Sequence, residues 1–312
     1  MLVGHIVTRM IEIAPCANEA DEQTSVDVYN AVWPHDAVSL DEVRSFKSGL
    51  VDNADLLARI HGAVVASGFA AIMPQRPDLV SVYLTVLPQQ RRRGAGTGLY
   101  EAISDWARER DLGTLEAVVA DNDPESLGFA QRRGFVEDHR EAGVVLDLTR
   151  TDPPTVEPPD GVEIVAWAEQ PDLARGLYEV VLEASPDIPG QEGEQPEPFE
   201  DWLAHDMQGP GDRPDATFVA LAGDEVIGYA KFSLTEAQPR VAHHDLTGVK
   251  RAWRGRGVAH ALKAKQIAWA KANGYEELRT RNDERNAPIR RLNDRFGYRP
   301  GIGRIYVRGP LA

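Results

Sequence analysis

The chain has 312 residues, 42% of them hydrophobic, and 34 basic against 49 acidic side chains give it a net charge of −15. Its length suits two domains of about 150 residues, and its apolar content suits buried cores rather than disorder. The acidic balance argues against nucleic acid, whose binding rests on neutralised phosphates, and favours a cationic partner such as an amine.

Cys16 is the only cysteine, so no internal disulfide can form. A reducing, cytoplasmic setting is expected. A lone cysteine of this kind reads as a small buried hydrophobe rather than a nucleophile. No run approaches the ~20 apolar residues of a membrane span, and the first residues lack a signal-peptide pattern. The eight histidines are scattered except His243-His244, which as strand neighbours point to opposite faces. No metal site is expected.

In chain order, residues 4–12 read as a strand and Asp21–Trp33 as a helix. A second helix starts at Ser39, whose spacing to Glu42 is that of a capping box. Two strand-like runs from Leu56 to Met73 flank a His61-Gly62 turn, and Val80–Val86 is the next strand. It breaks into Arg91-Arg92-Arg93-Gly94-Ala95-Gly96-Thr97 and a helix with Leu99, Ile103 and Trp106 at helical spacing. A strand over Leu115–Ala120 follows, then a helix from Asp123 that ends before Gly134-Phe135. Residues 150–161, rich in proline and acid, form a stiff linker.

The second half starts with strand Val162–Trp167 and helix Asp172–Glu183. From Ser185 to Glu200 runs a proline- and acid-rich segment read as a substrate-gating loop. Strands Phe218–Ala222 and Val226–Leu234 share a Gly223-Asp224 turn. Ala242–Val249 then breaks into Arg254-Gly255-Arg256-Gly257-Val258-Ala259 and another helix. Strand Glu276–Arg281, a helix from Asn286 and a last strand Gly303–Val307 complete the chain.

The two halves repeat. Val249 and Val86, Arg254 and Arg91, Gly257 and Gly94, Ala259 and Gly96, Trp269 and Trp106, and Gly297 and Gly134 are each separated by 163 positions. One offset across all these landmarks marks a duplication. In each copy a strand enters a basic, glycine-punctuated turn that opens a helix. Unpaired N–H groups at such a helix start, at the positive end of the helix dipole, can hold a pyrophosphate.

The spacing Arg-x-x-Gly-x-(Gly/Ala), in both copies, resembles the acetyl-CoA motif of the GNAT acetyltransferase superfamily. The resemblance implies an α+β protein: two tandem GNAT-like domains, each a twisted, mixed, mostly antiparallel sheet flanked by helices. They span residues 1–149 and 162–312. It implies acetyl-CoA as cosubstrate, no metal, and direct attack of a small-molecule amine on the thioester. Pyrophosphate would lie on Arg254, Gly255, Arg256, Gly257, Val258 and Ala259, and in the first half on Arg91, Arg92, Arg93, Gly94, Ala95, Gly96 and Thr97. Backbone groups of Thr247 and Val249, and of Leu84 and Val86, would pair with pantetheine. The Val249 N–H would stabilise the oxyanion.

Asn286 matches a family asparagine on the pantetheine arm, although a helix cap explains it equally well. Trp33, His35 and Asp36 would wall the acceptor groove of the first half, although a capped helix–helix corner with a packed tryptophan explains them equally well. His243, Asp245 and Thr247 alternate on one strand face, which makes Asp245 the candidate general base, with His243 or His244 behind it. The family tyrosine that protonates the departing thiolate is absent: Ala130 and Asn293 stand at its two positions, and Asn293 can hydrogen-bond the sulfur but not protonate it. The C-terminal half is therefore expected to be catalytic and the N-terminal half degenerate. Alternative readings are a non-catalytic acyl-CoA-binding module, a mycothiol-synthase-like enzyme, and a protein or peptide N-acetyltransferase.

Overall fold

The computed structural model describes residues 11–189 and 197–312. The strand expected at 4–12 is described only from its end, as β1 (Ile11–Pro15). Asn18 caps α1 (Glu19–Val32) by accepting from the Asp21 N–H, beneath an acidic first turn that suits the helix dipole. The capping box expected at Ser39 and Glu42 opens α2 (Leu40–Ser48). Strands β2 (Asp52–Ile60) and β3 (Ala63–Met73) turn through His61 and Gly62, both with positive φ, as a tight right-twisted hairpin requires. There follow β4 (Arg76–Val86), α3 (Ala95–Arg108), β5 (Thr114–Ala120), α4 (Pro124–Gln131) and β6 (Val136–Asp147).

The second half repeats the order with β7 (Glu163–Ala166), α5 (Ala174–Ala184), α6 (Phe199–Asp206), β8 (Phe218–Ala222), β9 (Glu225–Leu234), β10 (Val241–Val249), α7 (Val258–Ala272), β11 (Glu277–Asp283), α8 (Ala287–Arg295), β12 (Arg299–Pro300) and β13 (Arg304–Pro310). Part of the expected gating loop, 190–196, lies outside the described residues. Its end is helical, since α6 begins at Phe199.

All thirteen strands among the described residues lie in one sheet, in the order β1-β2-β3-β4-β5-β13-β6-β11-β10-β9-β8-β7, with β12 beside β6. Sequence reasoning did not anticipate the middle of this order. The last strand of the chain, β13, inserts between β5 and β6 of the first half, with Ile305 opposite both Val119 and Arg140. In return β6 pairs with β11 of the second half, Leu146 opposite Leu278. The cores follow the strands. Ile305 and Val307 pack with Leu99, Ile103 and Leu115 of the first half, while Leu146 and Leu148 pack with Ile267 and Leu278 of the second. Each half is completed by the other's final strand.

Strand β6 escaped the sequence reading because its first half is charged. Its charges are matched within the sheet: Arg140 bonds Glu137, Arg308 pairs with Asp138 at 3.1 Å, and the Tyr306 hydroxyl donates to Glu141 at 3.1 Å. Helices cover both faces. In the second half α5 lies on one side of β9 and β10 and α7 on the other.

Candidate active site

Both halves contain the same opened sheet. Strands β4 and β5 pair in parallel only at Val80–Val82, and β10 and β11 only at Val241–His243. Past those points the strands separate, and Leu84–Val86 and Thr247–Val249 lie beside the wedge. A short 3-10 turn (Pro88–Gln90 or Arg251–Trp253) then leads to each basic turn. The two turns have one backbone form. Arg92 (φ 61°) and Gly94 (φ 97°) in the first match Gly255 (φ 75°) and Gly257 (φ 93°) in the second. Alternating left-handed residues gather successive N–H groups into an anion-binding concavity. Gly94 and Gly257 are the N-cap residues of α3 and α7 and have no side chain to cap them. The N–H groups of Ala95–Thr97 and of Val258–Ala259 thus open each helix without a side-chain acceptor.

The first arginine of each motif, expected as counter-charge, is a brace. Arg91 is bound to Asp123 at 2.8 Å and to Glu125 at 3.4 Å. Arg254 donates to the Val249 carbonyl at 2.9 Å and to Asp187 at 2.6 Å. Asp187 also takes Arg251 at 2.8 Å, and the two guanidinium groups hold its carboxyl down to about 2. Arg92, Arg93 and Arg256 have no carboxylate partner among the described residues; Arg256 lies over the Trp253 ring. A carboxylate that already occupies Arg251 and Arg254 competes with an incoming pyrophosphate. Asp187→Asn is therefore expected to tighten acetyl-CoA binding by about threefold to tenfold in a calorimetric titration. Weaker binding would mean instead that Asp187 holds the turn in its binding shape.

The acceptor side of the second half has a feature that the first lacks. The register of β10 against β9 shifts between His244 and Thr247, the mark of a β-bulge. Before the bulge Ala242 lies in the α7-side core, and His244 bonds Gln266 of α7 at 2.9 Å. After it Leu246 packs with the α5 core, and a side chain at Gly248 would meet Val180 of α5 at 3.1 Å. Val249 joins the α7 core. Thr247 consequently does not share a face with Asp245, contrary to the simple alternation expected from sequence. His244 faces away from the acceptor side and is buried, and burial pulls its imidazole well down. His243 bonds Gln238 at 3.0 Å. Burial, helped by Arg281, Arg279 and Arg304, lowers it to about 4, which makes it a poor base at neutral pH.

Asp245 sits beside Lys231 of β9, Oδ2 to Nζ 3.0 Å. Lys231 is 2% exposed and is also held by Asp212 at 2.9 Å and Asp206 at 3.5 Å. Burial opposes its charge, yet the three carboxylates hold its ammonium above the ordinary lysine range. Burial pushes Asp206 up to about 7; Lys231 resists, and Asp245 and Asp212 add to the rise. Sequence reasoning missed Lys231, Asp206 and Asp212. They come from a strand, a helix end and a loop, and no spacing rule joins them.

A sequence profile of the acetyltransferase (GNAT) family matches the chain twice, over residues 18–135 and 175–298. The chain belongs to the GNAT family. GNAT enzymes are acetyltransferases that use acetyl-CoA as cosubstrate. A GCN5-related N-acetyltransferase from Sphaerobacter thermophilus has the same fold, with a TM-score of 0.75 and 23% identity over 96% of this chain and 95% of that one. A tandem GNAT protein from the clavulanic acid biosynthesis pathway gives 0.76 and 21% over 96% and 98%. Among curated proteins, L-2,4-diaminobutyric acid acetyltransferase of Nocardia farcinica is 30% identical over 84 residues, which is 25% of this chain and 44% of that protein. The match spans less than half of that relative.

Against the GNAT expectation, the corner of the first half is filled. Asp36 is 8% exposed and is held by Arg281 and by Arg304 at 3.0 Å, both from the second half. The His35 carbonyl accepts from Arg279 at 2.9 Å, and Trp33 lies under Arg304, 6.0 Å from its ring centre. Exchange of β13 brings Arg304 there, and pairing of β11 with β6 brings Arg279 and Arg281. The expected groove wall of the first half is a seam between the halves.

At the thiolate end, Asn293 is 1% exposed. Its Nδ2 donates to Asn282 Oδ1 at 2.8 Å, and its Oδ1 has no partner. Asn286 accepts from the Ile289 N–H at 3.4 Å and caps α8. Cys16 stays protonated, its thiol pushed up to about 12 by burial and by Asp55 and Asp21. No described helix is long and apolar enough to cross a membrane.

Proposed function

We propose that the chain transfers the acetyl group of acetyl-CoA to the primary amine of a small molecule, and that the C-terminal half (162–312) performs the chemistry while the N-terminal half (1–149) is structural. The β10 bulge is the observation that carries this division. It turns Asp245 to the α5 side, beside the wedge, whereas β4, whose pairing with β3 is unbroken from Ser81 to Val86, puts the matching residue, Val82, into the α3 core. The filled corner around Asp36 supports the same assignment.

In this reading pyrophosphate lies on the turn from Arg254 to Ala259, and pantetheine runs along Thr247–Val249. Asp245 takes a proton from the incoming ammonium through water. The freed amine attacks the carbonyl carbon, and the Val249 N–H receives the developing oxyanion. Collapse of the tetrahedral species breaks the C–S bond and releases the thiolate, and the nitrogen gives its second ammonium proton to water to leave the neutral amide. Asn293 is an amide with no proton to give at neutral pH, so the leaving sulfur is not protonated from that position. A thiol pKa of about 8.5 lets it leave as the anion.

The test is release of free thiol from acetyl-CoA with a panel of small primary amines. Asp245→Asn is expected to lower kcat by about 100-fold or more, with acetyl-CoA binding retained. A rate within a few-fold of the parent would remove Asp245 as the base. Acetyl-CoA binding without turnover on any amine would favour the non-catalytic reading, which the missing family tyrosine already recommends.

A further inference from the structure

The group around Lys231 holds more negative charge than its own cation balances. One ammonium faces Asp212, Asp245 and Asp206 at 2.9, 3.0 and 3.5 Å. Asp212 is turned inward and also accepts from the Gly209 N–H at 2.9 Å. The Asp206 and Asp245 side chains are 43% and 39% exposed, so each presents oxygen to the acceptor side. Lys231 fills the centre that a metal ion would need, and no metal-binding group of His, Cys, Asp and Glu exists among the described residues.

A second observation points to a ligand. The hydroxyl of Tyr229, two residues before Lys231 on β9, is fully buried and has no hydrogen-bond partner among the described residues. After burial itself, the charge of Asp206 is what acts on it most strongly, followed by Asp245 and Asp212. The indole N–H of Trp202, one helical turn before Asp206, is also buried without a partner. Its ring packs against Tyr178 and Phe199, with centroids 5.2 and 6.1 Å away. Unpaired buried polar groups are costly. The Tyr229 oxygen, beside surplus carboxylate and aromatic faces, can accept from an alkyl ammonium, whereas the Trp202 N–H, a donor only, cannot.

We infer that the amine acceptor carries a second positive charge, a diamine in chemical class, whose non-reacting ammonium is seated by Asp206 and the Tyr229 hydroxyl. The inference rests on the proposed catalytic half. Asp245 and Val249 are four positions apart, one of which is taken up by the bulge, so about 10 Å at the usual rise. That distance leaves room for about three to six carbons between the two nitrogens.

The experiment is calorimetric titration of 1,4-diaminobutane and of 1-aminobutane into the full chain saturated with CoA. The diamine is expected to bind about 30-fold tighter, as a charge-assisted hydrogen-bonded contact implies. Asp206→Asn and Tyr229→Phe, each first checked for unchanged CoA binding, should shrink that ratio to about threefold or less. Affinity for the diamine should also rise between pH 6 and 8, because seating a cation requires Asp206, raised to about 7, to lose its proton. Of the other groups facing it, Lys231 and Tyr229 on β9 are held above that range; Asp245 on β10 and Asp212 on the loop after α6 complete the set. Equal affinity for the two amines, or a ratio unchanged in both variants, would overturn the inference while leaving acetyl transfer intact. Failure of CoA itself to bind would overturn the reading beneath it.

Discussion

Ending the chain at Gly303 is expected to abolish the native state of the first half, although every residue removed belongs to the second. The deleted strand, β13, carries Ile305 and Val307, 2% and 1% exposed, into the core around Leu99 and Leu115. Two such side chains contribute roughly 1.5–3 kcal/mol each. Their loss also strips β5 and β6 of their shared partner and takes Arg304 from Asp36. The two side chains alone approach the lower end of the roughly 5–15 kcal/mol that holds a whole domain, before the lost pairing is counted. Near-ultraviolet circular dichroism and urea unfolding of residues 1–303 should show loss of fixed packing and no cooperative transition for this half. Unfolding within about 1 kcal/mol of the intact chain would mean that the exchanged strand is dispensable.

The second large effect is on acetyl-CoA. Gly257 has φ 93°, and a Cβ built there meets only Pro159 Cγ, at 3.8 Å. Gly257→Glu therefore leaves packing intact. It forces a side chain into the left-handed region, which costs about 1–2 kcal/mol, and aims a carboxylate at the anion site. Binding at this turn should weaken by at least about 100-fold. Gly94→Glu is a poorer probe of the first turn, because its Cβ would meet Ile11 Cδ1 at 2.8 Å. Calorimetric stoichiometry separates the possibilities. One site lost in Gly257→Glu supports catalysis in the C-terminal half. Two sites falling to one would make the first turn a live second site. One site that survives would move the function to the N-terminal half.

Much of this was legible in the sequence because it is written locally. The capping box at Ser39, the hairpin at His61-Gly62 and the Asn286 cap all stand where spacing placed them. The offset of 163 revealed the duplication that the family profile matches twice. The bulge was not legible, because that offset runs through it unbroken: Asp245 aligns with Val82, yet one reaches Lys231 and the other packs in the core. Which face a residue occupies depended on one local slip between β9 and β10. The exchanged strands were equally hidden. Sequence periodicity says that a segment is extended, not which edge it joins, and Glu137 to Glu141 did not look like a strand at all. Trp33, His35 and Asp36 were recognised as special, but their partners, Arg279, Arg281 and Arg304, come from strands more than 200 positions away.

The exchange of β6 and β13 also bears on how the protein is made. A ribosome that has released residues 1–149 has produced β1 to β6 but not the strand that belongs between β5 and β6. The first core must wait for Ile305 and Val307, more than 150 residues further along the chain. Domain-by-domain folding during synthesis, the usual course for a chain of two units, is closed to it. The nascent first half instead holds open strand edges until β13 has emerged, and joining β5 to β13 then closes a loop of some 180 residues. Pairings so distant in sequence form slowly. Heterologous synthesis should therefore show its weak point after translation, as a slow final step that chaperones protect.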